Sequence, residues 1–189
     1  MTTTAKLYFS PESFTLADGT RATLRAVRPA DAPLIQAFVS RLSPQSIYYR
    51  FLSTITGVSD AEAAHLATVD YHDRMALVAT VLSPDEELIP PKAGDYFIIA
   101  VARYARSLDQ ADRAEFAVVV EDRYQGQGLA RTMLNRMGLY ARQHGIRAFT
   151  GTINGGNLRM RQFVKNCGLP TQVSAGDHGE LEVVVLLEA

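Results

Sequence analysis

The sequence predicts an α/β sandwich built on a mixed sheet. Three observations carry this expectation. Helical segments come early, and β-rich runs gather in the middle and at the end. One β-rich run passes through a short turn directly into a long amphipathic helix, and the elements lack the regular alternation of a βα barrel. With 189 residues, 47% of them apolar and 21% charged, the chain has the size and composition of one globular domain. Residues 1–20 are expected to form an N-terminal extension and residues 21–189 the domain itself.

After the turn signal Asp18-Gly19, RATLRAV (21–27) alternates polar and apolar residues and predicts a half-buried strand. Two short helices follow, broken near Pro44, with Asp31 as a cap for the first. Ser59 and Glu62 have capping-box spacing and open a third helix running to about Thr68. MALVATVL (75–82) and DYFIIAVARYA (95–105) read as strands, and the proline- and acid-rich segment 83–94 between them as a loop. EFAVVV (115–120) is the next strand. From Gly126 to about His144, Ala130, Leu134, Met137 and Ala141 share one helical face, and Gly145 is placed to end the helix. IRAFTGTI predicts a strand, NLRMRQFVKNCG a helix closing on Gly168, and LEVVVLL (181–187) the last strand.

A formal net charge of −1 offers no general attraction to nucleic acid or to an anionic membrane, so neither is expected as a partner. No apolar run approaches the roughly 20 residues that cross a bilayer, and the N-terminus lacks the apolar core of a signal peptide. Cys167 is the only cysteine, which excludes an intrachain disulfide and fits a reducing, cytoplasmic setting. His65, His72, His144 and His178 have no metal-ligand spacing, so no metal is expected.

The most informative stretch is EDRYQGQGLART, where Gly126 and Gly128 sit at a helix tip and Arg131 follows. A helix start has unpaired N–H groups and the positive end of the macrodipole, and glycines let backbone approach a phosphate closely. The same glycines also suit a tight strand-to-helix turn with no ligand. The spacing is neither that of a P-loop nor that of a dinucleotide fingerprint, so nucleotide hydrolysis and hydride transfer lose support.

Gln125-Gly126-Gln127-Gly128-Leu129-Ala130 resembles the Gln/Arg-x-x-Gly-x-Gly/Ala signature of the GNAT superfamily of acyl-CoA-dependent N-acyltransferases. A later segment, from Asn157 to Leu169, is similar to the family helix that opens on Asn and closes on Gly. LRAVRPADAPLIQAFVSRLSPQSIYYRFL together with AEFAVVV resembles the bacterial Pat-type protein lysine acetyltransferases. The resemblance implies a mostly antiparallel central sheet with acyl-CoA bound where the central strands splay. It assigns acyl-CoA contacts to Val118, Val119, Val120, Gln125, Gly126, Gln127, Gly128, Leu129, Ala130, Arg131 and Asn157, and an acceptor groove to Tyr48, Tyr49 and Arg50. It further implies acetyl-CoA as cosubstrate and a protein as acceptor. Pat-type relatives often carry an acyl-CoA-synthetase-like region or a cyclic-nucleotide sensor, neither of which fits in these 189 residues.

Acetyl transfer needs a neutral amine, and a lysine ammonium with a pKa of about 10.4 must first lose a proton. Glu115 opens the strand before the glycine turn. A carboxylate amid FAVVV would be partly desolvated and so a better base, and the resemblance puts the base glutamate here. The other reading of Glu115 is an exposed strand-edge acid paired with Arg113 or Arg103. A backbone N–H of Val118 or Val119 would polarise the thioester carbonyl. Val164 stands where many superfamily members have the tyrosine that protonates the thiolate, which leaves the thiolate to depart unaided or with a proton from water. Asn157 suits a helix cap or a bond to pantetheine, Cys167 a small buried residue, and Tyr48 to Arg50 either the groove or the core. Protein lysine acetylation leads. Acetylation of a small amine and acyl-CoA binding without turnover are the competing readings. Asp85, Glu86 and Glu87 in the loop are expected to steer basic protein substrates.

Overall fold

The computed structural model describes residues 9–53, 57–82 and 96–187. The acidic loop assigned to substrate steering lies outside the described residues. The elements run β1 (Glu12–Thr15), β2 (Arg21–Ala26), α1 (Ala32–Ser40), α2 (Pro44–Phe51), α3 (Asp60–Ala67), β3 (Arg74–Leu82), β4 (Tyr96–Arg106) and β5 (Arg113–Val120). They continue with α4 (Leu129–Gln143), β6 (Ala148–Asn154), α5 (Leu158–Asn166), β7 (Thr171–Ala175) and β8 (Glu180–Leu186).

The strands form one sheet in the order β1-β2-β3-β4-β5-β6-β8-β7. Every neighbouring pair is antiparallel except β5 and β6. Helices cover both faces, so the sheet is the middle layer of the expected sandwich. On one face α4 lays Leu129, Met133, Leu134, Met137, Tyr140 and Ala141 onto the core, with Val164 and Cys167 from the α5 region beside them. On the other, Ile35, Phe38 and Val39 of α1, Ile47 of α2 and Ala67 of α3 pack over Ala76, Val78 and Ile98. Burial on both sides explains the uninterrupted apolar run of β3: Met75, Leu77, Ala79 and Val81 face one core, Ala76 and Val78 the other.

Two short strands were not expected. ESFT pairs with β2 as an edge strand, so part of the assigned N-terminal extension belongs to the sheet, and TQVSA pairs with β8 at the opposite edge. The capping box forms as read: Ser59 Oγ accepts from the Glu62 N–H, and Glu62 accepts from the Ser59 N–H at 2.7 Å. Asp31 differs from expectation. Its carboxylate makes no cap bond to α1. It is buried, accepts both arms of the Arg25 guanidinium at 2.7 and 2.8 Å, and accepts the Arg28 N–H at 2.8 Å. Its carboxylate is instead held by the Arg25 guanidinium and the Arg28 N–H, which orient it away from the start of α1.

Candidate active site

The parallel ladder between β5 and β6 is short. Arg113 pairs with Ala148, Ala114 with Phe149 and Glu115 with Thr150, and there it stops. Beyond Glu115, β5 stays paired with β4 while β6 stays paired with β8, so the sheet forks. Phe116 and Phe149 stack at 4.8 Å at the base of the fork. A cavity of about 90 Å³ occupies it, walled by Phe116 to Val118 on one strand, Thr150 to Ile153 on the other, and Met160, Phe163 and Val164 of α5.

Strand alternation determines which backbone groups face the fork. The Glu121 N–H donates to Ile99 O at 2.9 Å, toward β4, and groups two residues apart point the same way. The Val119 N–H is therefore directed to β4, whereas the N–H groups of Phe116, Val118 and Val120 are directed into the fork. Consistent with this, Val120 O accepts the Gln125 side chain at 3.0 Å, and a Cβ at Gly151 would meet Phe116 O at 3.2 Å. Of Val118 and Val119, the pair offered by the sequence, only Val118 has its amide on the open side. The Val119 side chain packs against the α1–α3 core.

The glycine turn closes the far end of the fork. Gly126 and Gly128 have φ of +78° and +81°, where a Cβ is strongly disfavoured, and Gly128 is the N-cap of α4. The first helical bond runs from Thr132 N to Gly128 O at 3.1 Å. Among the described residues, the N–H groups from Gly126 through Arg131 have no acceptor. This donor array at the positive end of a 15-residue helix suits a pyrophosphate.

The side chains of the turn are mostly engaged elsewhere. Gln125 bridges Ser46 Oγ at 3.2 Å and Val120 O, and accepts from Arg159. Gln127 pairs with Asp18 in the β1–β2 turn, donating at 3.0 Å. Leu129 is buried in the core and Ala130 packs against it. Arg131 is exposed and lies across Gly168, where a Cβ would come within 2.9 Å of its guanidinium. Apart from Arg131, this segment therefore offers a ligand backbone rather than side chains. A polar clamp that sequence reasoning missed fixes its position: Asp122 accepts the Ser43 N–H at 2.9 Å, Ser43 Oγ at 2.7 Å and Ser46 Oγ at 2.9 Å, tying α2 to the turn.

Asn157 is buried, caps α5 by accepting the Met160 N–H at 3.0 Å, and lines the fork cavity. Val164 and the buried Cys167 line it too. From α2, Tyr49 reaches the fork and its hydroxyl lies 3.4 Å from Gly156 O. Tyr48 is 40% exposed and lines neither this cavity nor the next.

Glu115 requires a correction. It is exposed, so its apolar sequence neighbours do not desolvate it. Side chains alternate along β5, and the neighbours Ala114 and Phe116 point to the opposite face. Nor is Glu115 the paired edge acid: among the described residues it makes no hydrogen bond or ion pair, with Arg103, Arg113 or any other cation. It lies on the rim of a second cavity of about 290 Å³, shared with Arg50, His65, Arg74, Arg103 and Ala117. Arg50 and Ala117 line both cavities. Burial lowers the Arg50 guanidinium below its ordinary value, with Glu115 acting in the opposite direction. Burial, with added repulsion from Arg50 and Arg74, brings Arg103 down to about 10, which still leaves it charged at neutral pH. The signal for Arg103 was present in the sequence as a lone cation interrupting the apolar run FIIAVARYA.

Among the described residues no cluster of three metal-ligating side chains forms, and no helix is long and apolar enough to cross a membrane. The family model for the Acetyltransferase (GNAT) domain matches residues 21–170. Acetyltransferase PA5475 of Pseudomonas aeruginosa is 30% identical over 162 residues, covering 86% of this chain and 82% of that protein. The crystal structure of the GNAT domain of S. lividans PAT superposes with a TM-score of 0.78 at 27% identity, covering 93% of this chain and 96% of that one. The structure of yncA, a putative acetyltransferase from Salmonella typhimurium with its cofactor acetyl-CoA, has the same fold, with a TM-score of 0.64 at 20% identity over 88% of this chain and 94% of that one.

Proposed function

The chain belongs to the GNAT acetyltransferase family, and from that premise we propose that it transfers acetyl from acetyl-CoA to the side-chain amine of protein lysines by direct attack. The observation that carries this reading is the fork: strand pairing ends at Glu115 and Thr150, and the opening leads to a turn whose amides are unpaired. The residues fit acetyl-CoA. Amides from Gly126 to Arg131 would hold the pyrophosphate, Arg131 would add a charge-assisted contact, and the open edge of β5 with Asn157 would bond the pantetheine amides.

Acetyl-CoA supplies an activated acetyl thioester. The Val118 N–H, directed into the fork, would hold the charge that develops on the thioester oxygen. The amine would approach through the second cavity, which has Arg50 and Ala117 in its wall in common with the fork. Glu115 at its rim would take the proton, directly or through one water, a role open to an exposed and unpaired carboxylate. With Val164 in the cavity wall, no side-chain acid is needed, because a thiolate with a pKa near 8.5 leaves readily. A protein acceptor is supported by the likeness to the S. lividans PAT domain, and a cytoplasmic setting by the single unpaired cysteine.

The test is acetyl-CoA consumption against a panel of proteins, lysine peptides and free amines. Lysine-bearing proteins or peptides are expected to give the highest kcat/KM. Tight CoA binding without turnover on any acceptor would instead make the chain an acyl-CoA-binding module.

A further inference from the structure

We propose that the cavity beside Glu115 is an anion subsite for the acceptor, in which Arg50, Arg74 and Arg103 receive a carboxylate borne a few bonds from the amine to be acetylated. This deepens the acetyltransferase reading and rests on it for the identity of the amine. The anion site itself stands on separate observations.

The first is charge placement. Arg25, Arg41, Arg106, Arg123 and Arg136 each form an ion pair with a carboxylate. Arg50, Arg74 and Arg103 come from α2, β3 and β4 to line a single cavity, and none has an ion pair among the described residues. The second is what their N–H groups do. Arg103 donates one arm to Leu66 O at 2.8 Å, and Arg74 lies 3.0 Å from His65 Nε2. Arg50 stacks over Phe51 at 5.1 Å and makes no hydrogen bond among the described residues. Guanidinium groups carry five N–H donors each, so most of the donors on this wall are free.

Three cations held together with a single carboxylate repel one another, and partial burial weakens the screening that would relieve them. An incoming carboxylate cancels that repulsion and can engage a guanidinium in a bidentate manner. The position matches the chemistry. The cavity shares Arg50 and Ala117 with the fork as lining and has Glu115 on its rim, so an anion held on its arginine wall would leave an amine a few bonds away beside Glu115 and close to the fork. A free amino acid and a lysine flanked by acidic residues both present this arrangement, and a lysine among basic residues does not.

Two measurements test the proposal. Arginine side-chain Nε–H resonances are followed in the CoA-saturated protein during titration with glutarate, with uncharged glutaramide as control. Saturable shifts of Arg50 and Arg103 with glutarate only, weakened tenfold or more in Arg103→Gln and in Arg74→Gln, are expected. Absence of saturable shifts overturns the proposal whatever the turnover. Glutarate binding without acetyl transfer to any amine would overturn the acetyltransferase reading while leaving the anion site in place. The second measurement compares kcat/KM for one lysine peptide flanked by Glu, Gln or Lys, and for free glutamate. The Glu-flanked peptide or free glutamate should exceed the Gln-flanked peptide at least tenfold, chiefly through KM, and the ratio should fall toward one in Arg103→Gln and be partly rescued in Arg103→Lys. A clear lead for free glutamate would identify a small amine, and a lead for the Glu-flanked peptide a protein. Equal use of all flanks, or preference for Lys flanks, would overturn the proposal.

Discussion

Replacing Gly128 with aspartate separates the phosphate role of the turn from its folding role. Gly128 has φ +81° and ψ −1°, and a Cβ built on it meets no atom within 4 Å. The structural cost of any side chain there is therefore backbone strain alone, about 1–2 kcal/mol. For a chain of this size that lowers Tm by roughly 2–8 °C and leaves the protein folded at room temperature. Gly128→Ala carries this strain without charge. Gly128→Asp adds a carboxylate at the mouth of the unpaired amides. At roughly 5 Å from a phosphate and an effective dielectric between about 20 and 80, the repulsion comes to about 0.8–3 kcal/mol. Acetyl-CoA affinity should therefore fall about tenfold or more in the aspartate variant relative to the alanine variant, equivalent to about 1.4 kcal/mol. Calorimetric titration of both variants, with melting curves alongside, reads the two effects separately. A folded Gly128→Asp protein that binds acetyl-CoA as tightly as Gly128→Ala would refute the assignment of the turn to the pyrophosphate.

Glu115→Gln keeps shape and removes the base. Turnover at pH 7 should drop about a hundredfold while acetyl-CoA affinity holds, with part of the loss recovered at high pH where the acceptor loses its own proton. Full activity at pH 7 would make Glu115 a bystander on the cavity rim. Asp122 provides a pH test of the clamp. Burial alone would raise its carboxyl, but bonds from Ser43 and Ser46 outweigh that and hold it below the ordinary value. A lowered folded pKa means that the stabilisation is complete above the unfolded value of about 3.9 and fades as pH falls through the folded one. Asp122→Asn should therefore cost about 1 kcal/mol at pH 7, and the gap in Tm from wild type should close below about pH 4. A gap that persists undiminished at pH 3 would show that the carboxylate charge is not what anchors the turn.

Much of this protein was legible along the chain because its signals are local. The capping box needs only Ser59 and Glu62, and the α4 face only the spacing of Leu134, Met137 and Ala141. The turn needs positive φ at two nearby positions, both occupied by glycine. A family likeness then turns local signals into an expected sandwich, although the element order alone does not fix which strands are neighbours: β8 lies between β6 and β7. The edge strands ESFT and TQVSA escaped notice because their residues stay largely exposed. They are strands through backbone pairing with β2 and β8 and leave little apolar pattern to read.

The site shows the same division more sharply. That a glutamate precedes a phosphate-type turn was written in the sequence, but whether its carboxylate is dry or wet depends on what covers that face of β5. The tertiary structure leaves Glu115 exposed where sequence neighbours suggested shelter. The choice of Val118 over Val119 follows from a parity set by pairing with β4, which no composition of valines encodes. Arg50, Arg74 and Arg103 lie on three elements whose separation in sequence hides their convergence, and only the antiparallel packing of β3, β4 and β5 under α2 and α3 brings them to one wall. Local geometry can be read from nearest neighbours because the backbone has few conformations to choose from. The electrostatics of a cavity sum over groups that folding alone makes adjacent.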